Sequence, residues 1–524
     1  MAAKKRIDEC VIAIDAGTQS VRAAAVDMSG NIVHMVKLPI ESYVSPRPGW
    51  AEQDADYFWR MLCSACKSMM KDIPFHQQAI KGVALTSQRA TFVNVDKAGN
   101  PLRPAIVWMD QRKAKVEAWP EPLMRLGLGA LGILEPVLHT IRDCELNWIR
   151  QNQPQVWERT YKFLLISGYY TFKLTGEFRD SIGCTEGYFP FDYKKQVWAS
   201  RRDIKWKMFP IEPEKLWELI PPAGVLGYVT ATAAKETGLP AGLPVIAAAA
   251  DKACEALGAG CIEPNVGCIS YGTTATIDTV TRKYTEIVPF FPPYPAALPA
   301  AYNTEFMIYR GYWMVSWFKK EFGLAEDLLS KKTGVSTEQL FEEEAKLIPA
   351  GSLGLILQPF WSPGVKIPGP EAKGCMIGFG DVHTKAHMYR AIIEGMAYAL
   401  KEGGQLTEKR TGVKMKSLLV AGGGSQSSLT MQVTADVFNL PARRPHTFEA
   451  SVLGAAIDAA VGLGLYGDFP SAVAGMTRVK DEFEPLPAAR DIYSELYEKV
   501  YLKTYKKLKP LYKRIRGITG YPDK

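Results

Sequence analysis

The sequence predicts an α/β protein built from two related domains, and two short stretches carry this prediction. Residues 11–27 read as an apolar β-branched run, an acid, a Gly-Thr turn and a second apolar run, which is typical of a hairpin of buried strands. Residues 268–277 repeat the order of apolar strand, Gly-Thr turn and β-branched strand, with Gly272 in the place of Gly17. The two glycines lie 255 positions apart in a chain of 524 residues, about half its length, so each half is expected to supply one such turn.

Length and composition narrow the class of protein. A chain of 524 residues holds roughly two or three domains, and 47% hydrophobic with 23% charged residues is typical of a soluble globular protein. A net charge of +8 gives no reason to expect a nucleic-acid partner, and no apolar run is long enough to predict a membrane span. Residues 1–9 are charged and lack the apolar core of a secretory signal, and nine scattered cysteines suit reduced thiols, so a cytoplasmic location is expected.

The first Gly-Thr turn is a candidate phosphate site. Asp15 ends the first strand and is followed by Gly17, Thr18 and Gln19. The Walker pattern is absent, yet backbone N–H groups and hydroxyls at a glycine turn can hold phosphate. A neighbouring acid can hold the Mg²⁺ that neutralises phosphate charge. Taken alone, the stretch favours an ordinary polar hairpin over a phosphate site.

A second candidate site follows two further strands. Lys81–Val95 is predicted as two strands with a polar corner at Ser87, Gln88 and Arg89. A strand from Ala105 then ends in Trp108, Asp110 and Arg112, which offer a stacking face, an acceptor and a fork-shaped donor. Such a set suits a polyhydroxylated ligand. The alternative is a surface Asp110–Arg112 ion pair beside a core tryptophan.

Asp251 stands where a buried strand, residues 243–250, meets a helix that ends near Gly260. One interpretation makes it the N-cap of that helix, which is worth about 1 kcal/mol. The other makes it a catalytic base.

Several further elements are predicted from pattern. A helix over 51–71 begins at the cap Asp54 and places Cys63 and Cys66 in the core, rather than in a metal site. Residues 116–220 are expected to be mixed and mostly helical. A strand at Ser417–Val420 leads into a glycine turn, and a small-residue helix over 451–464 is expected to pack behind that turn. The helix over 491–513 is predicted to pack through its tyrosine stripe with a solvated lysine face, with membrane-surface binding as the alternative.

Together these motifs resemble those of the FGGY carbohydrate kinase family, within the sugar kinase–actin–Hsp70 superfamily. The resemblance runs in the family's order from Val11 to about Asp468. The stretches that carry it are Asp15–Arg22, Ser87–Arg89, Trp108–Arg112, Leu174–Glu177, Asp251, Tyr271–Thr274, Gly422–Asp436 and Glu449–Ala456.

The resemblance implies an α/β fold of two actin-like (ribonuclease H-like) domains, each a central mixed sheet flanked by helices, with a cleft between them that closes on sugar and ATP·Mg²⁺. The N-terminal domain, for sugar and phosphate, would span 1–253 and the nucleotide-binding C-terminal domain 254–485. A basic helical tail would follow at 486–524.

Carried over by position, the resemblance also implies roles for single residues. Asp251 would accept the proton of the substrate hydroxyl, and Asp15 would help to hold Mg²⁺. The remaining roles divide between ATP and the sugar. For ATP they are Gly17, Thr18, Gln19, Arg22, Gly272, Thr273, Thr274, Gly423, Gly424 and Ser427, and for the sugar Gln88, Arg89, Trp108, Asp110 and Asp251.

Two departures from the family pattern bear on the substrate. Lys252 follows the catalytic aspartate where many relatives carry Gln or Asn, which places a positive charge near the sugar. Ala90 follows Arg89 where glycerol kinases carry a glutamate, which argues against glycerol. The resulting prediction is a kinase for a small sugar or polyol, with a ketopentose such as xylulose or ribulose as first choice. A homodimer is a further prediction. The alternatives are a superfamily ATPase or sugar sensor without sugar-kinase turnover, and a glycerol- or erythritol-type polyol kinase.

Overall fold

The computed structural model describes residues 8–116, 119–364 and 368–521. Contacts divide the chain into two compact units. Unit 1 comprises Met1–Gly260, Thr281–Asn303 and Glu449–Thr477, and unit 2 comprises Cys261–Val280, Thr304–Phe448 and Arg478–Lys524. Some predicted ranges extend over residues outside the described ones. These are residues 1–7 of the charged N-terminal segment, 117–118 of the mostly helical range, 365–367 of the predicted C-terminal domain and 522–524 of the basic tail. The domain boundaries expected from the sequence stay a prediction.

The main sheet of unit 1 has six strands. In spatial order these are Val225–Tyr228, Pro244–Ala250, Ile80–Ser87, Cys10–Ala16, Ser20–Asp27 and Ile32–Pro39. The Ile80 strand is parallel to both of its neighbours, and the other pairings are antiparallel. Because the sheet is covered on both faces, every residue of the central strand Cys10–Ala16 is buried, which explains its continuous apolar run. The predicted hairpin of the first two strands is confirmed.

Smaller sheets and helices surround this sheet. A four-stranded sheet contains Glu52–Gln53, Ala105–Ile106, Phe92–Val95 and Lys162–Leu165. Two further pairs of strands are Phe191–Asp192 with Val197–Trp198 and Arg179–Ser181 with Glu218–Ile220. The short strand Tyr294–Pro295 pairs with Tyr302 and Asn303. The α-helices are Ala55–Lys71, Pro122–Ala130, Leu134–Asp143, Glu145–Asn152, Pro154–Arg159, Ile166–Thr175, Lys205–Met208, Ala231–Thr237, Asp251–Ala259, Ala450–Gly462 and Phe469–Met476.

Local chemistry sets the limits of these helices. Asp54 caps the first one by accepting a hydrogen bond from the Asp56 N–H, as predicted. The helix Ile166–Thr175 ends at Gly176, whose φ of 79° lies in the left-handed region that glycine adopts without strain. Cys63 and Cys66 are buried free thiols of the core, as predicted.

The sheet of unit 2 follows the same plan. Its strands, in spatial order, are Tyr302–Ile308, Ala275–Thr281, Val266–Tyr271, Ser417–Ala421, Ala442–Pro445 and Val479–Phe483. As in unit 1, the opening strand is antiparallel to its hairpin partner and parallel to the later strand on its other side. The second predicted hairpin is therefore confirmed.

The remaining elements of unit 2 are mostly helical. Ile356–Gln358 pairs with Cys375–Ile377, and the α-helices are Trp313–Phe322, Leu324–Thr333, Thr337–Lys346, Lys385–Thr411, Ser428–Phe438, Pro487–Leu496 and Leu502–Thr519. The last two are joined by a π-helical turn, Tyr497–Tyr501. Tyr493, Tyr497 and Tyr501 are buried, so the prediction of a packed C-terminal helix is confirmed.

The expectation that residues 116–220 are mixed and mostly helical is confirmed, because their described residues form six α-helices and five short strands. Two other expectations about elements need correction. The strand at Ala105 stops at Ile106, so Trp108, Asp110 and Arg112 lie in the loop beyond it. The small-residue helix Ala450–Gly462 packs against Asp251–Ala259 within unit 1, not behind the glycine turn.

Within the described residues, no helix is long and apolar enough to cross a membrane.

Candidate active site

Asp15 lies at the end of the central strand of unit 1, directly opposite Arg22 in the hairpin register. Arg22 Nη1 donates to Asp15 Oδ2 at 2.6 Å, and Arg22 Nε lies 2.9 Å from Glu449 Oε2, so one guanidinium joins two nearly buried carboxylates. Burial raises the pKa of Asp15 to about 6, against the lowering effect of Arg22, and the charges of Asp251 and Glu449 raise it further. Asp15 and Asp251 are therefore close enough to influence each other's charge.

The turn after Asp15 is held by its own backbone. The Gly17 N–H donates to the Ser20 carbonyl at 3.1 Å, and the Ile40 N–H donates to the Gln19 carbonyl. Gln19 itself is an exposed residue. The Trp108 indole Nε1–H donates to Thr18 Oγ1 at 3.1 Å. The structure therefore brings Trp108, predicted for the sugar, to the turn predicted for phosphate.

The corner after the Ile80 strand carries the next two predicted residues. The Gln88 N–H bonds to the Ala16 carbonyl at 3.1 Å, and the buried Gln88 Oε1 has no hydrogen-bond partner among the described residues. Arg89 Nη1 donates to Glu186 Oε2 at 2.9 Å, and Arg89 Nε lies 3.9 Å from Asp251 Oδ1. Ala90 has a φ of 46°, a strained value for a residue with a side chain, and such strain is found at functional sites.

Asp110 has a different environment from that of the other predicted sugar residues. Its carboxylate accepts two hydrogen bonds of 2.7 Å from the Arg112 guanidinium, one of 2.9 Å from the Arg112 backbone N–H and one of 2.6 Å from the Ala51 N–H. The Arg112 guanidinium packs on the ring of Trp50 with 3.9 Å to its centroid. Both side chains of the pair are 2% exposed, so the ion pair is buried and the expectation of a surface pair is wrong. Trp108, in contrast, is 41% exposed and does not belong to the core.

Asp251 is the first residue of its helix, and the cap position belongs to Ala250. Its carboxylate makes no capping bond and, among the residues that the structure describes, accepts a hydrogen bond only from the adjacent Lys252 N–H, at 2.8 Å, so the N-cap interpretation is wrong. The side chain stays 30% exposed. Burial raises the pKa of Asp251, and the charges of Arg89 and Lys252 oppose the rise.

The positive charge expected from Lys252 is compensated. Lys252 Nζ lies 2.7 Å from Glu255 Oε2, one helical turn further along, and both side chains are largely buried. Three carboxylates around the site, Glu186, Glu255 and Glu449, were missed as site residues. Glu255 has a detectable signal, since charges three apart on a helix face each other. The other two approach through the tertiary fold.

The Asp251 helix is held by a close crossing with the Ala450–Gly462 helix. A β carbon on Gly454 would lie 1.9 Å from the Cys254 carbonyl oxygen, and one on Gly258 would lie 1.9 Å from the Ala450 carbonyl oxygen. Ser451 Oγ donates to the Asp251 carbonyl at 3.2 Å. Only glycine permits this approach, which ties the position of Asp251 to the segment that carries Glu449.

In unit 2, Tyr271 and Tyr312 lie against the turn Gly272–Thr274 and the glycine turn Gly422–Gly424. The Tyr312 N–H donates to the Gly272 carbonyl and the Gly311 N–H to the Thr273 carbonyl, each at 2.9 Å. A β carbon on Gly424 would meet the Tyr312 ring at 2.5 Å, whereas one on Gly423 would meet nothing within 4 Å. Gly423 thus offers open backbone, and sequence reasoning missed Tyr312.

Ser427 has a structural task as well. Its hydroxyl accepts from the Thr430 N–H at 3.1 Å and caps the helix Ser428–Phe438.

Two units that open with a Gly-Thr hairpin and share one sheet plan define a two-domain, actin-like α/β protein. Residues 10–258 match the FGGY family of carbohydrate kinases, N-terminal domain, and residues 267–463 match the C-terminal domain of that family. The chain therefore belongs to the FGGY family of carbohydrate kinases, whose members are sugar phosphotransferases that use ATP.

Full-length similarities agree. The chain is 32% identical over 518 residues to the uncharacterized sugar kinase YgcE of Escherichia coli (strain K12), covering 98% of this chain and 97% of that protein. It is 28% identical over 520 residues to a xylulose kinase of Staphylococcus epidermidis (strain ATCC 12228 / FDA PCI 1200), covering 98% and 100%. The crystal structure of xylulose kinase from Rhodospirillum rubrum is similar with a TM-score of 0.79 and 25% identity, covering 96% and 100%.

Proposed function

We propose that this chain transfers the γ-phosphoryl group of ATP to a hydroxyl of a ketopentose, with xylulose as the first candidate. The full-length similarity to proteins named xylulose kinase supports this choice. The observation that carries the proposal is the state of Asp251. Its carboxylate is partly exposed, makes no capping bond and lies 3.9 Å from a guanidinium in the same unit as Asp15.

In the proposed reaction, Asp251 accepts the proton of the attacking hydroxyl. A general base is most effective when its pKa is near the working pH, and burial moves the pKa of Asp251 in that direction. Gln88 and Arg89 supply a buried acceptor and a donor for the other sugar hydroxyls, and Trp108 supplies a partly exposed ring. Asp110 is proposed to shape this site through Arg112 rather than by direct contact.

The residues present fit Mg²⁺ with a nucleotide. Asp15 Oδ2 bonds to Arg22, and Asp15 Oδ1 has no hydrogen-bond partner among the described residues. Mg²⁺ typically binds through one or two carboxylates, water and the phosphates of the substrate. When bound, it would neutralise phosphate charge during transfer. Gly17, Thr18, Gln19 and Arg22 are proposed to meet the phosphates.

For unit 2 we propose nucleotide contacts at Gly272, Thr273, Thr274, Gly423, Gly424 and Ser427. Open backbone at Gly423 supports close approach of a flat ligand. The nine cysteines are all free thiols, which supports a cytoplasmic location. The domain boundaries and a homodimer stay predictions.

The test is ADP release with ATP and Mg²⁺ over a panel of pentuloses, hexuloses and polyols. We expect sugar-dependent ADP release that is fastest with a ketopentose. Asp251→Asn keeps the size of the side chain and should lower kcat by about 10²–10⁴-fold, with little change in the KM for ATP. Asp96→Asn is the matched control, because Asp96 also accepts a backbone bond, from Ala98, in an exposed turn. Near-normal turnover of Asp251→Asn, or ADP release that ignores the sugar, would contradict the proposal.

A further inference from the structure

The Arg89 guanidinium is surrounded by three fixed groups of unit 1. Glu186 Oε2 lies 2.9 Å from Nη1, the Tyr294 ring centroid lies 5.4 Å from the guanidinium carbon, and Asp251 Oδ1 lies 3.9 Å from Nε. The side chains of Arg89 and Glu186 are 17% and 6% exposed. Arg89 thus carries its charge into the site with a carboxylate already bound to it.

Glu186 is held firmly by its own backbone and by its neighbour. Its N–H donates to the Cys184 carbonyl at 2.8 Å. The next residue, Gly187, accepts a 3.1 Å bond from the Tyr193 hydroxyl and has a φ of 148°, and a β carbon there would meet the Phe92 ring at 3.0 Å. This backbone places the Glu186 side chain, which is only 6% exposed, beside Arg89.

The other two cations described around Asp15 and Asp251 are compensated in the same way. Arg22 pairs with Asp15 and Glu449, and Lys252 pairs with Glu255. A substrate carboxylate entering beside Arg89 would have to displace Glu186 or lie next to it, and like charges in a partly buried site repel strongly. Hydroxyl groups meet no such obstacle, because they both donate and accept.

Resting on the proposed kinase function, we propose that Glu186 is a specificity-determining residue. It neutralises Arg89, so that the site accepts uncharged sugars and discriminates against sugar acids of similar size. Glu186 acts through Arg89 and needs no contact with the substrate.

The test compares D-xylulose with the sugar acid D-xylonate, by equilibrium binding with tryptophan fluorescence and by ADP release. Glu186→Gln keeps the size of the side chain and an oxygen that accepts from Arg89, and it removes the charge. We expect the wild type to bind xylulose at least ~100-fold more tightly than xylonate, and Glu186→Gln to narrow this ratio ~10-fold or more. The change should fall on the Kd and KM of the sugar, whereas the KM of ATP stays constant.

Two further variants separate charge from structural damage. Glu218→Gln is the matched control, because Glu218 pairs with Arg179 at 2.8 Å in an exposed position and should leave the ratio unchanged. The double variant Arg89→Gln with Glu186→Gln removes both charges and should restore discrimination towards the wild-type ratio. If the single variant folds poorly, the double variant alone still tests the proposal, because a xylulose-to-xylonate ratio far from the wild-type value would contradict it.

The outcomes separate the two claims. A ratio that Glu186→Gln changes by less than twofold, tighter binding of xylonate than of xylulose by the wild type, or no binding of either would overturn the role of Glu186. Normal xylulose binding with the expected shift in ratio, but no ADP release, would support that role and reject the kinase proposal alone.

Discussion

Replacing Gly454 by alanine tests whether the crossing of the helices Asp251–Ala259 and Ala450–Gly462 positions the carboxylate of Asp251, the proposed catalytic base. The added β carbon would lie 1.9 Å from the Cys254 carbonyl oxygen, whereas ordinary contact begins at 3.4 Å. The clashing atom belongs to the backbone of a helix and cannot rotate away, so the helices must separate by roughly 1.5 Å in a close-packed interior. Overpacking of this kind costs about 1–3 kcal/mol.

The opposing effect is small. Alanine is favoured over glycine in a helix by about 0.5–1 kcal/mol, which leaves a net destabilisation of about 1 kcal/mol. For a large domain this corresponds to a fall in Tm of roughly 2–4 °C. Because Asp251 begins one helix and Glu449 directly precedes the other, kcat/KM for the sugar should also fall, by ~10²-fold for a displacement of about 1 Å.

The assays are a thermal melt and steady-state kinetics. Gly517→Ala is the matched control: Gly517 also lies inside a helix, but a β carbon there would meet nothing within 4 Å, so Tm should stay constant or rise. If Gly454→Ala melts at the wild-type temperature or above, or keeps kcat/KM within twofold, the crossing does not hold Asp251 and the reasoning fails.

Two further predictions concern buried carboxylates. Asp458 is fully buried, and burial raises its pKa far above the ordinary value of 3.8. Its titration therefore leaves the free energy of unfolding unchanged below pH 3.8 and lowers it by about 1.4 kcal/mol per pH unit as the pH rises towards the folded pKa. The Tm of Asp458→Asn relative to wild type should therefore rise between pH 5 and pH 8, and a constant difference would contradict this. Asp110→Asn should lower the free energy of unfolding by about 2 kcal/mol, because within the described part of the chain it leaves Arg112 with only Glu52 as a charged partner. An unchanged Tm would refute this.

The hairpins could be predicted because their signal is local. Apolar β-branched runs interrupted by Gly-Thr specify two buried strands and a tight turn, and the structure has both hairpins. The cap at Asp54 and the helix end at Gly176 are local in the same sense. Asp251 could be placed at its strand–helix junction, but whether it is the cap or the first helical residue depends on where the helical backbone begins, which local pattern does not determine.

The rest of the site depends on contacts between distant parts of the chain. Arg89 pairs with Glu186, which lies 97 positions later. Arg22 pairs with Glu449, which directly precedes the helix Ala450–Gly462 of unit 1. The sequence pattern at Asp110 is equally suited to a ligand and to an ion pair. The structure shows the pair because Arg112 packs on Trp50 and directs its guanidinium at Asp110. Such choices are made by tertiary packing, not by local spacing.

The position of Asp251 suits the proposed role of its carboxylate as a base among charged neighbours. A helix N-terminus and the Lys252 N–H stabilise its ionised form, and burial opposes this more strongly, so the pKa rises. The charges of Arg89 and Lys252 also lower the pKa, and their pairing with Glu186 and Glu255 places an opposite charge beside each of them. The charge of Glu255 in addition raises the pKa of Asp251 directly. In the proposed function, Glu255 therefore favours the base, whereas Glu186 is proposed to limit which substrates approach Arg89.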